Sequence, residues 1–154
     1  MPDDDYCSHP SSEVILHQCQ HDIATYGWHC IAVGASPNFP PYAYTIGLYT
    51  TYHHPDLVIA GLMPKLSHEI LQNVVALIKE GRRIMDGDER NDILSGVPVR
   101  FRDAATSIFP LHVADAYYQT DVSCLQVIWP DKEGFFPDED GCDETISDLQ
   151  NNQR

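Results

Sequence analysis

The sequence predicts an α+β protein: a curved, mostly antiparallel sheet, or split-barrel-like core, packed by about three helices. Three observations carry this. Strand-like segments cluster between helical ones instead of alternating regularly with them, as a doubly wound α/β fold would require. The connections between the first three strands are too short for parallel crossovers. The chain has 154 residues, 43% hydrophobic and 21% charged, which suits one domain with a core of its own.

The elements follow in order. Residues 1–10 form an acidic N-terminal arm. Ser11 or Ser12 can cap a first helix with Glu13 in its first turn, and Val14, Leu16, Cys19 and Ile23 recur at helical spacing up to Gly27. Trp28 to Gly34 reads as an apolar strand. Three prolines make Ser36–Pro41 a loop. From Tyr42 to Leu48 the alternation is clean: Tyr42, Tyr44, Ile46 and Leu48 share one face, and Ala43, Thr45 and Gly47 the other. A turn at His53-His54-Pro55 leads into a short buried strand, Asp56 to Gly61. Pro64 opens the strongest helix, with an apolar stripe of Leu66, Ile70, Val74, Leu77 and Ile78, Lys79 at its negative end and Gly81 as its stop. Arg82 to Met85 is expected as a brief strand and Asp86-Gly87-Asp88 as a turn. Val97, Val99 and Phe101 face one way and Arg100 and Arg102 the other, a half-solvated strand. Phe109 to Gln119 holds a helix, Ser123 to Trp129 a last strand that Pro130 stops, and residues 131–154 an acidic tail. The single domain is therefore expected over 11–130.

Charge is the first functional clue. Nine Lys and Arg against 23 Asp and Glu give a net charge of −14. Such a molecule is repelled by nucleic acid and by anionic membranes, so neither is expected as a partner. The surplus is uneven: −4 in residues 1–13 and −6 in 131–154, leaving only −4 on the 117 residues between. Two acidic flanks around a nearly balanced body serve either solubility or steering toward a basic partner. No apolar run approaches the roughly 20 residues that cross a bilayer, and the start, Met-Pro-Asp-Asp-Asp, lacks the basic and apolar regions of a signal peptide. A cytoplasmic location is expected.

The five cysteines contain no C-x-x-C pair, which argues against zinc ribbons and disulfide frameworks; Cys19, Cys30 and Cys124 read as small core residues. The phosphate-loop, dinucleotide, nucleophile-elbow and H-E-x-x-H motifs are all missing. His53, His54 and Asp56 offer two imidazoles and a carboxylate within four residues, but adjacent strand residues face opposite ways, so a turn is the plainer reading and no metal is expected. His17 and His21 share a helix face without a third ligand. Trp28-His29 is either a small-molecule wall or core. Arg100 and Arg102 can grip a phosphate or pair with the acidic flanks, and in so acidic a chain pairing is favoured. No catalytic residue is assigned.

Five blocks carry a family likeness: Asp22–His29 (DIATYGWH), Pro41–Leu48 (PYAYTIGL), His54–Leu62 (HPDLVIAGL), Val97–Arg102 (VPVRFR) and Leu125–Asp131 (LQVIWPD). In this order they resemble the bacterial family called domain of unknown function 4262, over about residues 20–135. The resemblance implies a bacterial, cytoplasmic protein and brings no established reaction. The matching positions are Trp28, Tyr44, Thr45, Gly47, His54, Pro55, Arg100 and Trp129. Asp56 stands where Glu is expected as often. The element order is also similar, more faintly, to a flavin-binding split barrel.

Two functions are expected from this. The first is a small acidic binding module, an inhibitor or immunity protein that neutralises a basic, nucleic-acid-acting toxin. Asp138, Glu139, Asp140, Asp143 and Glu144 would supply the carboxylates, and Phe135 or Phe136 the apolar anchor. The alternative is a flavin- or small-molecule-binding enzyme of the split-barrel kind, with Trp28, Tyr44, Thr45, His54 and Trp129 about the pocket and Arg100 on the phosphate of flavin mononucleotide.

Overall fold

Strand alternation and one long amphipathic helix decide the architecture. The computed structural model describes residues 12–104, 109–120 and 124–151; the N-terminal arm and the side chains of its expected caps, Ser11 and Ser12, lie outside them. Helix α1 (Ser12–Tyr26) ends at Gly27, whose N–H donates to the Ile23 carbonyl. Strand β1 (His29–Val33) pairs antiparallel with β2 (Tyr42–Ile46), and β2 with β3 (Asp56–Ala60). A short helix, α2 (Leu48–Tyr52), lies between β2 and β3, and α3 (Pro64–Lys79) follows β3. A hairpin of β4 (Glu89–Leu94) and β5 (Val97–Asp103), then α4 (His112–Tyr118), β6 (Cys124–Ile128) and α5 (Glu144–Asn151), complete the described chain.

The sheet order is β1-β2-β3-β6-β5-β4, with β3 and β6 parallel and the other four pairings antiparallel. The one parallel pairing is possible because α3, the hairpin and α4 fill the connection between its strands. Alternation splits the core into two layers. Ala43, Leu57, Ile59, Leu125, Val127 and Phe101 pack with Ile70, Leu71, Val74 and Val75 of α3. Tyr42, Tyr44, Ile46, Val58 and Ala60 face Cys19 and Ile23 of α1 and Ala114 of α4. Each buried aliphatic side chain of α3 contributes on the order of 2 kcal/mol. Helix α3 packs against β1, β2, β3 and β4, so the sheet curves around it from one edge to the other. Asn73 of α3 donates to the Ile93 carbonyl of β4 at 3.0 Å. The two edges are not joined, so the barrel is open. No helix among the described residues is long and apolar enough to cross a membrane.

The α+β class with a curved, mostly antiparallel sheet is what the structure shows, with five helices among the described residues where about three are expected. Residues 82–85 form no strand; the Ile84 N–H is used by a side chain instead (below). The strand before β5 is β4, a charged edge strand that buries only Ile93. The tail carries α5, so the packed body extends past residue 130.

Candidate functional site

The second and third family blocks converge on one buried carboxylate. Asp56, 4% exposed, starts β3. Its Oδ1 accepts from Thr45 Oγ1 at 2.8 Å and from the Leu48 N–H at 3.0 Å, and its Oδ2 from Tyr118 Oη at 2.5 Å. Thr45 Oγ1 also accepts the Leu57 N–H, and Tyr118 Oη the Gly47 N–H. Asp56 thereby caps α2 from another element, because Gly47 has no side chain to do so. Gly47 is required here: its φ is +106°, and a Cβ would stand 2.8 Å from Ile23 Cγ1. Burial pushes the Asp56 carboxyl up to about 6, against the opposing pull of its hydrogen bonds from Tyr118, Thr45 and Leu48.

His54 is equally committed. Its Nε2 accepts the Ile84 N–H at 3.0 Å, so Nδ1 carries the proton and donates to the Pro55 carbonyl at 2.9 Å. Burial lowers its pKa and keeps the ring neutral. His53, at φ +54°, is exposed and ends α2. Among the described residues no three His, Cys, Asp or Glu side chains gather as a metal site. Burial raises the thiols of Cys19, to about 12, and of Cys30, to about 11, so neither is an activated nucleophile.

The remaining pocket candidates are dispersed. Tyr44 Oη accepts the Val113 N–H, and Trp129 Nε1 donates to the Ala60 carbonyl. Trp28 stacks on His68 across a separate cleft, their centroids 6.0 Å apart. Arg100 is bound to acids: Nε donates to Glu89 at 2.8 Å, Nη2 lies 3.5 Å from Glu139, and Nη1 lies 3.9 Å from Asp138. Its guanidinium sits 4.0 Å over the Phe136 ring. Arg102 points elsewhere, to Gln126 and Asn151.

The acidic C-terminal segment is thus a folded lobe. Asp131 Oδ1 accepts the N–H groups of Glu133 and Phe135, each at 2.9 Å, and Oδ2 that of Asp143 at 2.8 Å, so one carboxylate fastens both ends of the loop. Asp143 then caps α5 through the Thr145 N–H at 2.9 Å. Gln150, fully buried, pairs with the Trp129 backbone twice: Nε2 donates to its carbonyl at 2.7 Å, and Oε1 accepts its N–H at 2.8 Å. Phe136 is buried beneath Arg100, while Phe135 is 40% exposed. In the same segment Glu133, Asp140 and Glu144 are exposed and have no ion-pair partner among the described residues, and the Asp138 side chain is 73% exposed. Spacing gave no sign of Tyr118 or Gln150, which act 62 and 21 residues from their partners.

An open curved sheet around one helix, with a buried capping carboxylate and a folded acidic lobe, defines the type. Residues 22–143 match the model of a domain of unknown function, DUF4262, and the chain belongs to that family. No curated protein and no solved structure matches the chain.

Proposed function

We propose that this protein is an acidic binding module that engages a basic protein through its C-terminal lobe, acting as an inhibitor of a nucleic-acid-acting toxin. The observation that supports this is the lobe itself: Glu133, Asp140 and Glu144, exposed and without an ion-pair partner among the described residues, share with the exposed Phe135 a segment whose loop Asp131 fixes. The carboxylates stand where a cationic cleft expects phosphates. They steer the encounter and repel anions, and Phe135 supplies apolar contact at close range. A loop already ordered before contact loses little entropy on binding. Phe136 and Glu139 belong to the support, because Arg100 and the Phe136 N–H occupy them.

The test is affinity capture from the native host at low salt, with the full chain and with the Asp138→Asn/Asp140→Asn/Glu144→Gln variant side by side. A basic protein held by the first and lost by the second is expected. Capture of no basic protein, or equal capture by both, overturns the proposal.

A further inference from the structure

We propose that a second site lies in the cleft between α1, the start of β1 and α3, and that it takes an aromatic monophosphate: a planar ring at one end and an anionic group at the other. The cleft encloses about 420 Å³, and its lining includes Asp22, Trp28, His29, His68, Gln72 and Lys79. That volume lies in the range of small-ligand sites. His68 and Lys79 are eleven residues apart on α3, so the cleft runs about 16 Å along the helix.

The two ends differ in chemistry. At one, the Trp28 and His68 rings stack on each other, 16° from parallel with centroids 6.0 Å apart, and both line the cleft. The neighbouring His29 gives Nδ1 to Asp22 Oδ2 at 2.6 Å, which fixes its ring and leaves Nε2 with no hydrogen-bond partner among the described residues. That nitrogen is available to the edge of a heteroaromatic ring. At the other end the exposed Lys79 has no ion-pair partner among the described residues. Gln72 lies between and offers its amide oxygen as acceptor and its amide NH2 as donor to a linker. Asp22 is the one acid in the lining, and His29 already occupies it. In a chain of −14 this is a place where donors outnumber carboxylates. A purely structural account leaves Lys79 as the cation at the end of α3 and Trp28–His68 as surface packing, and ligand binding separates the two accounts.

The experiment titrates the full chain with flavin mononucleotide, whose ring fluorescence is quenched on stacking, and in parallel with riboflavin, AMP and inorganic phosphate. Saturable quenching with a dissociation constant on the order of 100 μM or tighter is expected. Riboflavin should bind about tenfold more weakly. AMP should compete, which assigns the site to the aromatic monophosphate class, and failure of AMP to compete overturns that assignment. Lys79→Ala should bring flavin mononucleotide to the riboflavin value, and Trp28→Leu should abolish quenching. The Lys65→Ala change at the start of α3, exposed and outside the cleft's lining, should alter neither. Absence of saturable binding up to about 1 mM, equal affinity for riboflavin, or binding unchanged in both variants overturns the proposal.

Discussion

Asp56→Asn isolates the cost of keeping a carboxylate in the core. The change preserves an acceptor for Thr45 and Leu48 and removes the titrating proton. Burial raises the Asp56 carboxyl from 3.8 to about 6 in the folded state. The folded protein therefore holds that proton more tightly than the unfolded chain. The resulting stability is fully present below about pH 4 and is lost as pH rises through about 6. One proton over about two pH units amounts to about 3 kcal/mol. His54 has the opposite slope, because its lowered pKa costs stability as pH falls. Both proteins contain His54, so it cancels in their difference. Urea unfolding of wild type and variant from pH 4 to 8 gives that difference. The unfolded chain is already partly ionised at pH 4, so wild-type stability relative to the variant should fall by about 2 kcal/mol between pH 4 and 6.5, or several degrees in Tm. A flat difference would refute the reasoning. A difference that rises with pH would mean that the hydrogen bonds outweigh desolvation.

Further outcomes follow from the same contacts. Asp56→Ala leaves the Leu48 N–H and the Thr45 and Tyr118 hydroxyls without their acceptor and should cost about 3–5 kcal/mol by urea unfolding at pH 7. Gln150→Leu orphans the Trp129 N–H and carbonyl; a loss of about 2–4 kcal/mol is expected, with faster hydrogen exchange across α5. Gly61→Ala forces a Cβ to 2.8 Å from Leu149 Cβ at φ +93°, so it should loosen α5 while leaving α3 protected from exchange. Arg100→Met should shift stability by about 1 kcal/mol or less, because its ion pairs are solvent-screened, yet raise exchange in residues 135–140.

What was legible in the sequence is what local physics dictates. Pro64, the stripe from Ile70 to Ile78, Lys79 and Gly81 mark α3, although Leu66 is exposed, and the alternation marks β2 from Tyr42 to Ile46, beyond which Leu48 starts α2 and packs with Ala43 on the other layer. Strand β4 was missed because an edge strand facing water needs almost no apolar residues, and Glu-Arg-Asn-Asp-Ile-Leu offers only two. Helix α5 is hidden by acidic composition, since only Ile146 and Leu149 join the apolar core and a polar residue, Gln150, is its one fully buried side chain. The β3–β6 pairing and the Tyr118–Asp56 contact depend on long-range closure, which no spacing encodes. The docked α5 also changes how the lobe can be tested. Removing residues 131–154 would expose core around Trp129 and Gly61, so neutral substitutions are the clean perturbation.

The proposed role rests most directly on how fast the captured basic protein associates as salt is raised. For the wild-type chain the rate constant should fall at least tenfold between about 20 mM and 200 mM salt. The Asp138→Asn/Asp140→Asn/Glu144→Gln variant should start slower and respond less. A rate indifferent to salt, or identical in the two proteins, would contradict recognition by the acidic lobe.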